Sequence, residues 1–551
     1  MPEKNKNYEI TITGFGSNGE GIGRIDNMAV FVPGGCEGDI LEIKLIKIKS
    51  SYAVGKILRI LKPSEFRQES FCPASSRCGG CQLAHVAYDK QLAVKKQLVT
   101  DCLERIGGLS LNHAEVFDTL GMESPYRYRN KMVFPIGRDN GGKPVGGFYA
   151  QHSHTVVPLE DCMLGSSAAS MILHTVLDFT NEYRISVYDE AAHKGLVRRV
   201  FVRFGYTSRE AMAVISINGS KLPHAEQLVS RLLELSLPDY RLNSILLNCN
   251  TERNNLVLSG KNVVLYGTET IRNTLCGMEY MISPNSFFQV NPLQMERLYS
   301  KALEFAEISG TETVVDLYSG IGTISLAASR IAKNVIGVEI VPQAVADARE
   351  NASLNRVTNV TFYEGSAEDI SVKLAKDHLV PDVVILDPPR KGSDETTLGA
   401  ILSMSPKKIV YISCNPSTLA RDLKILTNGG YSLKKIQPVD MFPHTSHVEV
   451  VCLLSKLNSN KLKYINVELE MDELDLTAAE SKATYEEIKD YVLKHTGLKV
   501  SNLYIAQVKQ KCGIVERVNY NLPKSENSRQ PKCPPEKEAA IWEALKYFRM
   551  V

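Results

Sequence analysis

Cys414 ends the apolar run I-V-Y-I-S-C-N-P (409–416) and is followed at once by Asn415 and Pro416. A cysteine at the carboxyl end of a sheet strand, before a proline turn, faces a pocket rather than a core. As a thiolate it is a nucleophile. Glu449, in H-T-S-H-V-E-V-V (444–451), comes 35 residues later at the start of another apolar strand. A carboxylate there would face the same cleft and could take a proton; the competing reading is a surface glutamate at a hairpin. A second group of thiols lies in C-P-A-S-S-R-C-G-G-C-Q (72–82), where Cys72, Cys78 and Cys81 are spaced C-x5-C-x2-C. Three cysteines so close call for a ligand, and Cys162 in P-L-E-D-C (158–162) is the candidate fourth donor. Four thiolates hold zinc or an iron–sulfur cluster, and spacing does not choose between them.

A third constellation suits a nucleotide-bearing ligand. V-V-D-L-Y-S-G-I-G-T-I-S-L (314–326) reads as a strand, a glycine turn and a helix start. Gly320 and Gly322 lack the third glycine of a dinucleotide fingerprint, although a dehydrogenase stays open on this stretch alone. Glu339 ends the next strand, 23 residues after Asp316, where a carboxylate suits ribose hydroxyls. Asp387, in V-V-I-L-D-P-P-R (383–390), ends a further strand, and the two prolines fix the loop behind it. The combination resembles an S-adenosylmethionine-dependent methyltransferase. A thiolate then has a purpose. C5 of a pyrimidine is a poor nucleophile, but addition of a thiolate at C6 makes C5 enolate-like and able to accept a methyl group. A base must afterwards remove the C5 proton.

The motifs F-F-Q-V-N (287–291), D-L-Y-S-G-I-G (316–322), L-D-P-P-R (386–390), S-C-N-P (413–416) and H-V-E (447–449) together resemble the RNA uracil-5 methyltransferase family. They resemble most its TRAM-containing members acting on 23S ribosomal RNA. The resemblance covers about residues 1–457. It implies a class I, Rossmann-like fold, Cys414 as nucleophile and Glu449 as proton acceptor. It also implies that Gln289, Tyr318, Glu339 and Asp387 bind S-adenosylmethionine. For Cys72, Cys78, Cys81 and Cys162 it implies a [4Fe–4S] cluster. The spacing differs from the C-x3-C-x2-C of radical enzymes, which argues for a closed, structural cluster. The implied partner is ribosomal RNA with an unpaired, flipped-out uridine. The rivals are a tRNA uracil-5 methyltransferase, expected to lack both barrel and cysteine cluster, and a non-catalytic RNA-binding protein with an iron–sulfur cluster. A cytosine-5 DNA enzyme fits less well, since Ser413 rather than proline precedes Cys414.

The elements that must position these residues fall into four blocks. Residues 1–62 carry five short strand patterns with glycine corners, read as an OB-like, TRAM-like RNA-binding barrel. Residues 63–284 hold the cysteines, a helix at 89–106 that would pack on the catalytic domain, and then a meandering antiparallel sheet, with 256–259 among its strands. Residues 285–457 alternate strands and helices, as a doubly wound α/β methyltransferase domain does. Asn291-Pro292 caps its first helix, and 432–439 with 448–455 close it as a hairpin. Residues 458–551 form a helical extension, with a helix-turn-helix reading for 482–512. P-Y-R-Y-R-N-K (125–131) interleaves aromatics with cations, as RNA contacts do, and Phe287 is a candidate to stack on a flipped base.

Composition sets limits and little more. The 551 residues are 44% hydrophobic and 23% charged, which excludes a disordered, collagen-like or coiled-coil chain. No run approaches the ~20 apolar residues of a membrane helix, and the polar start is unlike a signal peptide, so the expected location is cytoplasmic. With 64 Lys+Arg against 62 Asp+Glu, any basic surface must be local.

Overall fold

The computed structural model describes residues 2–151, 153–253, 256–457, 485–512 and 533–548. The chain divides into two compact units, Met1–Lys461 and Leu462–Val551. No helix among the described residues is long and apolar enough to cross a membrane.

The first unit opens with a closed barrel of β1 (Asn7–Phe15), β2 (Gly21–Ile25), β3 (Met28–Val32), β4 (Ile40–Ile48) and β5 (Tyr52–Lys62), in the order β1-β2-β3-β5-β4. Alternate residues fill it: Ile10, Ile12, Val30, Val32, Leu41, Ile43 and Leu45. Closure brings β1 and β2 so near that a Cβ at Gly23 would lie 2.5 Å from the Thr11 carbonyl oxygen.

The cysteine segment leads into α1 (Tyr88–Arg105) and the two-residue β6 (Glu115–Val116). A seven-stranded sheet follows, built from β7 (Lys131–Arg138), β8 (Pro144–Tyr149), β9 (Val156–Pro158), β10 (Val197–Phe204), β11 (Glu210–Ile217), β12 (Arg241–Cys249) and β13 (Lys261–Gly267). Two helices interrupt it, α2 (Ser167–Glu182) and α3 (Ala225–Leu233). Here the expected antiparallel meander is only partly right. β11 and β12 run parallel, and α3 is the crossover such a pair requires. Helix α2 was legible in principle: Ala168, Ala169, Ile172, Leu173, Val176 and Phe179 recur at helical spacing and are buried. The expected strand at 256–259 does not form; Leu256 and Val257 are exposed. A hairpin of β14 (Ile271–Leu275) and β15 (Met278–Ile282) joins this sheet's core to the next domain.

Then α4 (Pro292–Ala306) begins the α/β region, with Asn291 accepting the Gln294 N–H and Pro292 in the first turn. The succession is β16 (Thr313–Leu317), α5 (Thr323–Ser329), β17 (Asn334–Glu339), α6 (Pro342–Leu354), β18 (Val360–Glu364), α7 (Ala367–Lys376), β19 (Val383–Leu386), α8 (Glu395–Met404), β20 (Lys408–Ser413), α9 (Pro416–Asn428), β21 (Tyr431–Val439) and β22 (Glu449–Lys456). The sheet order is β18-β17-β16-β19-β20-β22-β21-β6. Seven of the eight strands run the same way, and β22 alone inserts antiparallel between β20 and β21. Each of β16, β19 and β20 is almost wholly buried, as a parallel sheet covered on both faces requires. One cover is α4, α5 and α6; the other is α7, α8, α9 and, from earlier in the chain, α1. Below α1, Lys95 reaches Asp440 at the end of β21 as a fully buried ion pair, and Tyr88 donates to the same carboxylate at 2.7 Å.

The second unit contains α10 (Tyr485–Thr496), α11 (Asn502–Lys511) and α12 (Pro535–Tyr547), packed through Ile488, Val492, Ile505, Val508, Ile541 and Leu545. The acidic stretch 467–476 lies outside the described residues.

Candidate active site and cysteine pocket

All six residues singled out for catalysis and donor binding line one cavity of about 590 Å³, at the carboxyl ends of the parallel strands. Tyr318, Ser319 and Gly320 form its floor after β16. Tyr318 sits at φ 73°, a conformation costly for a bulky residue, and its hydroxyl lies 3.1 Å from Ser393 Oγ. Gly322 caps α5 at φ 85°, where a Cβ would lie 3.0 Å from the Phe362 ring. Glu339, ending β17, accepts the N–H groups of Gly320 (3.0 Å) and Val341 (2.8 Å), which locks the turn. Gln289 enters from the other side; its carbonyl accepts from Asn130 Nδ2 at 3.0 Å.

Asp387 follows β19, Cys414 follows β20, and Glu449 opens β22 beside β20. The cysteine turn is tied to the D-P-P-R loop, since Asn415 Nδ2 donates to the Arg390 carbonyl at 3.1 Å. Glu449 is 3% exposed; burial first, then the Asp387 charge, pushes its carboxyl up to about 8. Burial alone raises Asp387 to about 7. Cys414 is pushed up to about 11, by burial and then by Glu449 and Asp387, with Arg390 opposing. The free pocket therefore holds a neutral thiol beside carboxyls that titrate near neutrality. A cationic ligand would favour the ionised forms of both carboxyls. Asp316 beneath the floor is also buried and raised to about 7; Ser325 Oγ donates to it at 2.5 Å.

The cavity also includes residues to which the sequence reading gave no role. Arg390 is its principal cation, and His447, two residues before Glu449, lines it too. Both stood inside quoted motifs, D-P-P-R and H-V-E, so the signal was present but unread. Phe287 lines the mouth and is 65% exposed.

Cys72, Cys78, Cys81 and Cys162 converge on a separate, largely apolar cavity of about 60 Å³. Burial, then the neighbouring thiols led by Cys162, pushes Cys81 up to about 12. Four thiols cannot ionise together there without added positive charge. Arg129 lines the same cavity, and its buried Nε has no hydrogen-bond partner. Among the described residues no three His, Cys, Asp or Glu side chains are gathered closely enough to hold a single metal ion.

The P-Y-R-Y-R-N-K run is not the solvent-facing stacking surface expected. Tyr128 is buried with its hydroxyl on the Pro443 carbonyl, and Arg127 is held by Asp161 at 2.6 Å. Residues 125–130 are a loop leading into β7, with Arg127 at φ 54°, and Tyr128 turns inward.

Comparison with known proteins agrees with the geometry. Residues 87–457 match the family described as tRNA (Uracil-5-)-methyltransferase, and residues 3–58 match the TRAM domain. A protein of Clostridium tetani named an uncharacterized RNA methyltransferase is 44% identical over 460 residues, covering 83% of this chain and 98% of that one. One from Caldanaerobacter subterraneus, similarly named, is 45% identical over 450 residues, covering 82% and 98%. Among solved structures, the Pyrococcus abyssi tRNA (uracil-54, C5)-methyltransferase in complex with S-adenosyl-L-homocysteine superposes with a TM-score of 0.65 and 28% identity. That match covers 81% of this chain and all of the other. This chain belongs to the tRNA (uracil-5-)-methyltransferase family of S-adenosylmethionine-dependent RNA methyltransferases, and carries its TRAM domain.

Proposed function

We propose that the protein methylates C5 of an unpaired uridine in 23S ribosomal RNA, with Cys414 as nucleophile and Glu449 as the base. The observation that carries this reading is the meeting of Cys414, Glu449 and Asp387 in one buried cavity with the donor-side residues Gln289, Tyr318 and Glu339. Cys414 gives up its thiol proton to solvent, and the thiolate adds to C6 of the uracil, forming a C–S bond and moving the ring electrons toward C5 and O4. C5 then takes the methyl group from the sulfonium donor, which leaves as S-adenosylhomocysteine. Glu449 accepts the C5 proton; the electron pair re-forms the C5–C6 double bond and expels the thiolate. Its carboxyl, raised to about 8, suits a base working near neutral pH. Asp387 and Glu449 give the cavity the negative potential a sulfonium prefers.

We propose that Cys72, Cys78, Cys81 and Cys162 hold a [4Fe–4S] cluster; that all four line one small cavity supports this. When bound, the cluster would supply the positive iron charge that four buried thiolates need. Arg129, with its unpartnered Nε, would offset the residual negative charge. The apolar surroundings suit a structural role in tying residues 72–81 to 162.

The choice of RNA has a second reading. The superposed structure is that of a tRNA (uracil-54, C5)-methyltransferase and covers 81% of this chain, which supports a tRNA substrate as that second reading. Incubating the protein with labelled donor and either 23S ribosomal RNA or tRNA transcripts, followed by nucleoside mass spectrometry, decides it. The reading requires 5-methyluridine in the ribosomal RNA; methylation of tRNA alone would move the substrate to the second reading.

A further inference from the structure

The cations of residues 125–131 have separate fates. Arg127 is neutralised by Asp161, and Arg129 turns to the cysteine pocket. Lys131 opens β7 directly opposite Arg203 of β10, so the two side chains share one face. Arg203 is 3% exposed and donates to the carbonyls of Ser283 (2.6 Å) and Ser286 (2.9 Å). Next to Lys131, the Asn130 N–H donates to the Val290 carbonyl at 2.8 Å, and its side chain holds Gln289. Residues 283–290, which carry Phe287 and Gln289 into the wall of the active-site cavity, are thus fastened around Lys131. Burial, then Arg203 and Arg129, presses the Lys131 ammonium down to about 8. Among the described residues neither Lys131 nor Arg203 has a carboxylate in an ion pair; Asp347 accepts instead from Ser286 Oγ at 2.9 Å, beside the carbonyl that Arg203 holds. Two neighbouring cations without a paired carboxylate are costly to bury, and an anion brought by a ligand would relieve that cost.

We propose that Lys131, backed by Arg203, binds the phosphodiester group of the nucleotide whose uracil enters the cavity. This rests on the reading of the protein as an RNA uracil-5 methyltransferase. A backbone phosphate fixed beside the 283–290 wall leaves the base free to rotate past the exposed Phe287 toward Cys414. The contact carries no sequence information; it sets the distance between backbone and pocket.

The test uses the full-length protein and a uridine-containing RNA hairpin that the wild type methylates. Lys131→Gln should weaken RNA binding by about tenfold to a hundredfold. It should also lower the slope of log affinity against log salt by about 0.7 to 0.9. Affinity for S-adenosylhomocysteine should not change, and Lys131→Arg should restore both RNA readouts. Because the substitution removes an unpaired charge, the Tm of the Gln variant should hold or rise, which separates lost binding from lost folding. Unchanged RNA affinity and salt slope in the Gln variant would overturn the proposal. So would weaker S-adenosylhomocysteine binding at unchanged RNA affinity, which would give the ammonium to the donor's carboxylate. Failure of the wild type to methylate any uridine RNA would instead overturn the functional reading on which this rests.

Discussion

Cys414 is a thiol held near a pKa of 11 by a buried site whose neighbouring charges are mostly negative. Its alkylation by a small neutral reagent should rise about tenfold per pH unit from 7 to 10, the thiolate being the reactive form. Glu449→Gln removes a charge that opposes the thiolate, so the alkylation curve should shift to lower pH; an unmoved curve would separate the two groups. The same substitution should slow methyl transfer by roughly 10²–10⁴-fold, the usual worth of a general base, while leaving the covalent RNA adduct able to form. Among the buried carboxyls, Asp387 has a folded value of about 7 against roughly 3.9 unfolded. A raised folded pKa means stability is fully present below the unfolded value and is lost as pH rises through the folded one. Melting curves between pH 5 and 8.5 should therefore fall less steeply for Asp387→Asn than for the wild type. At this scale the sequence was most informative. The six proposed residues all sit at strand ends or just beyond motifs with prolines and glycines, where type and position constrain each other. Asp316 escaped notice because its role as a buried, raised carboxyl under the floor depends on packing that spacing does not reveal.

Helix α1 shows why element boundaries are easier to read than element placement. Its span, expected at 89–106, is Tyr88–Arg105, and its partner was foreseen only as a domain. The buried Lys95–Asp440 pair fixes that docking. Removing one partner of a buried ion pair costs about 3–5 kcal/mol, so Lys95→Met should lower the denaturant midpoint sharply, and Lys95→Met with Asp440→Asn should recover part of the loss. The strands of the α/β domain were legible because a parallel sheet buried on both faces leaves continuous apolar runs. The central sheet was harder. Its strand β10 is buried along its whole length, and helix α2 is rich in the same apolar residues, so composition alone does not separate them. The parallel β11–β12 pair depends on the crossover α3, a short helix whose buried Leu228 and Leu232 stand at i, i+4 but lie within a stretch read as mostly strand. At the glycine turn, Gly322→Ala should destabilise by about 1–2 kcal/mol from the left-handed backbone alone, with more from the Phe362 contact; thermal denaturation measures it.

At the scale of the molecule, the unit Met1–Lys461 contains the barrel, the cysteine pocket and the active-site cavity. The Clostridium tetani relative aligns over 98% of its own length with only 83% of this chain. A chain ended after Lys461 should therefore unfold cooperatively and keep donor binding, any change being confined to the choice of RNA. Loss of the fold on that truncation would show that the C-terminal helices complete the core. Balanced net charge had carried no information about a nucleic-acid partner, because the cations proposed to meet it, Lys131 and Arg203, are few and local. The proposed function stands on covalent chemistry at Cys414. The most direct measurement mixes the protein with S-adenosylmethionine and RNA in which 5-fluorouridine replaces uridine, since fluorine at C5 leaves Glu449 no proton to remove. A stable protein–RNA complex should form that survives denaturation, maps to Cys414 by peptide mass spectrometry and disappears in Cys414→Ala with donor binding intact. Wild-type protein that binds both ligands, yet neither forms that complex nor methylates uridine, would contradict the proposed function.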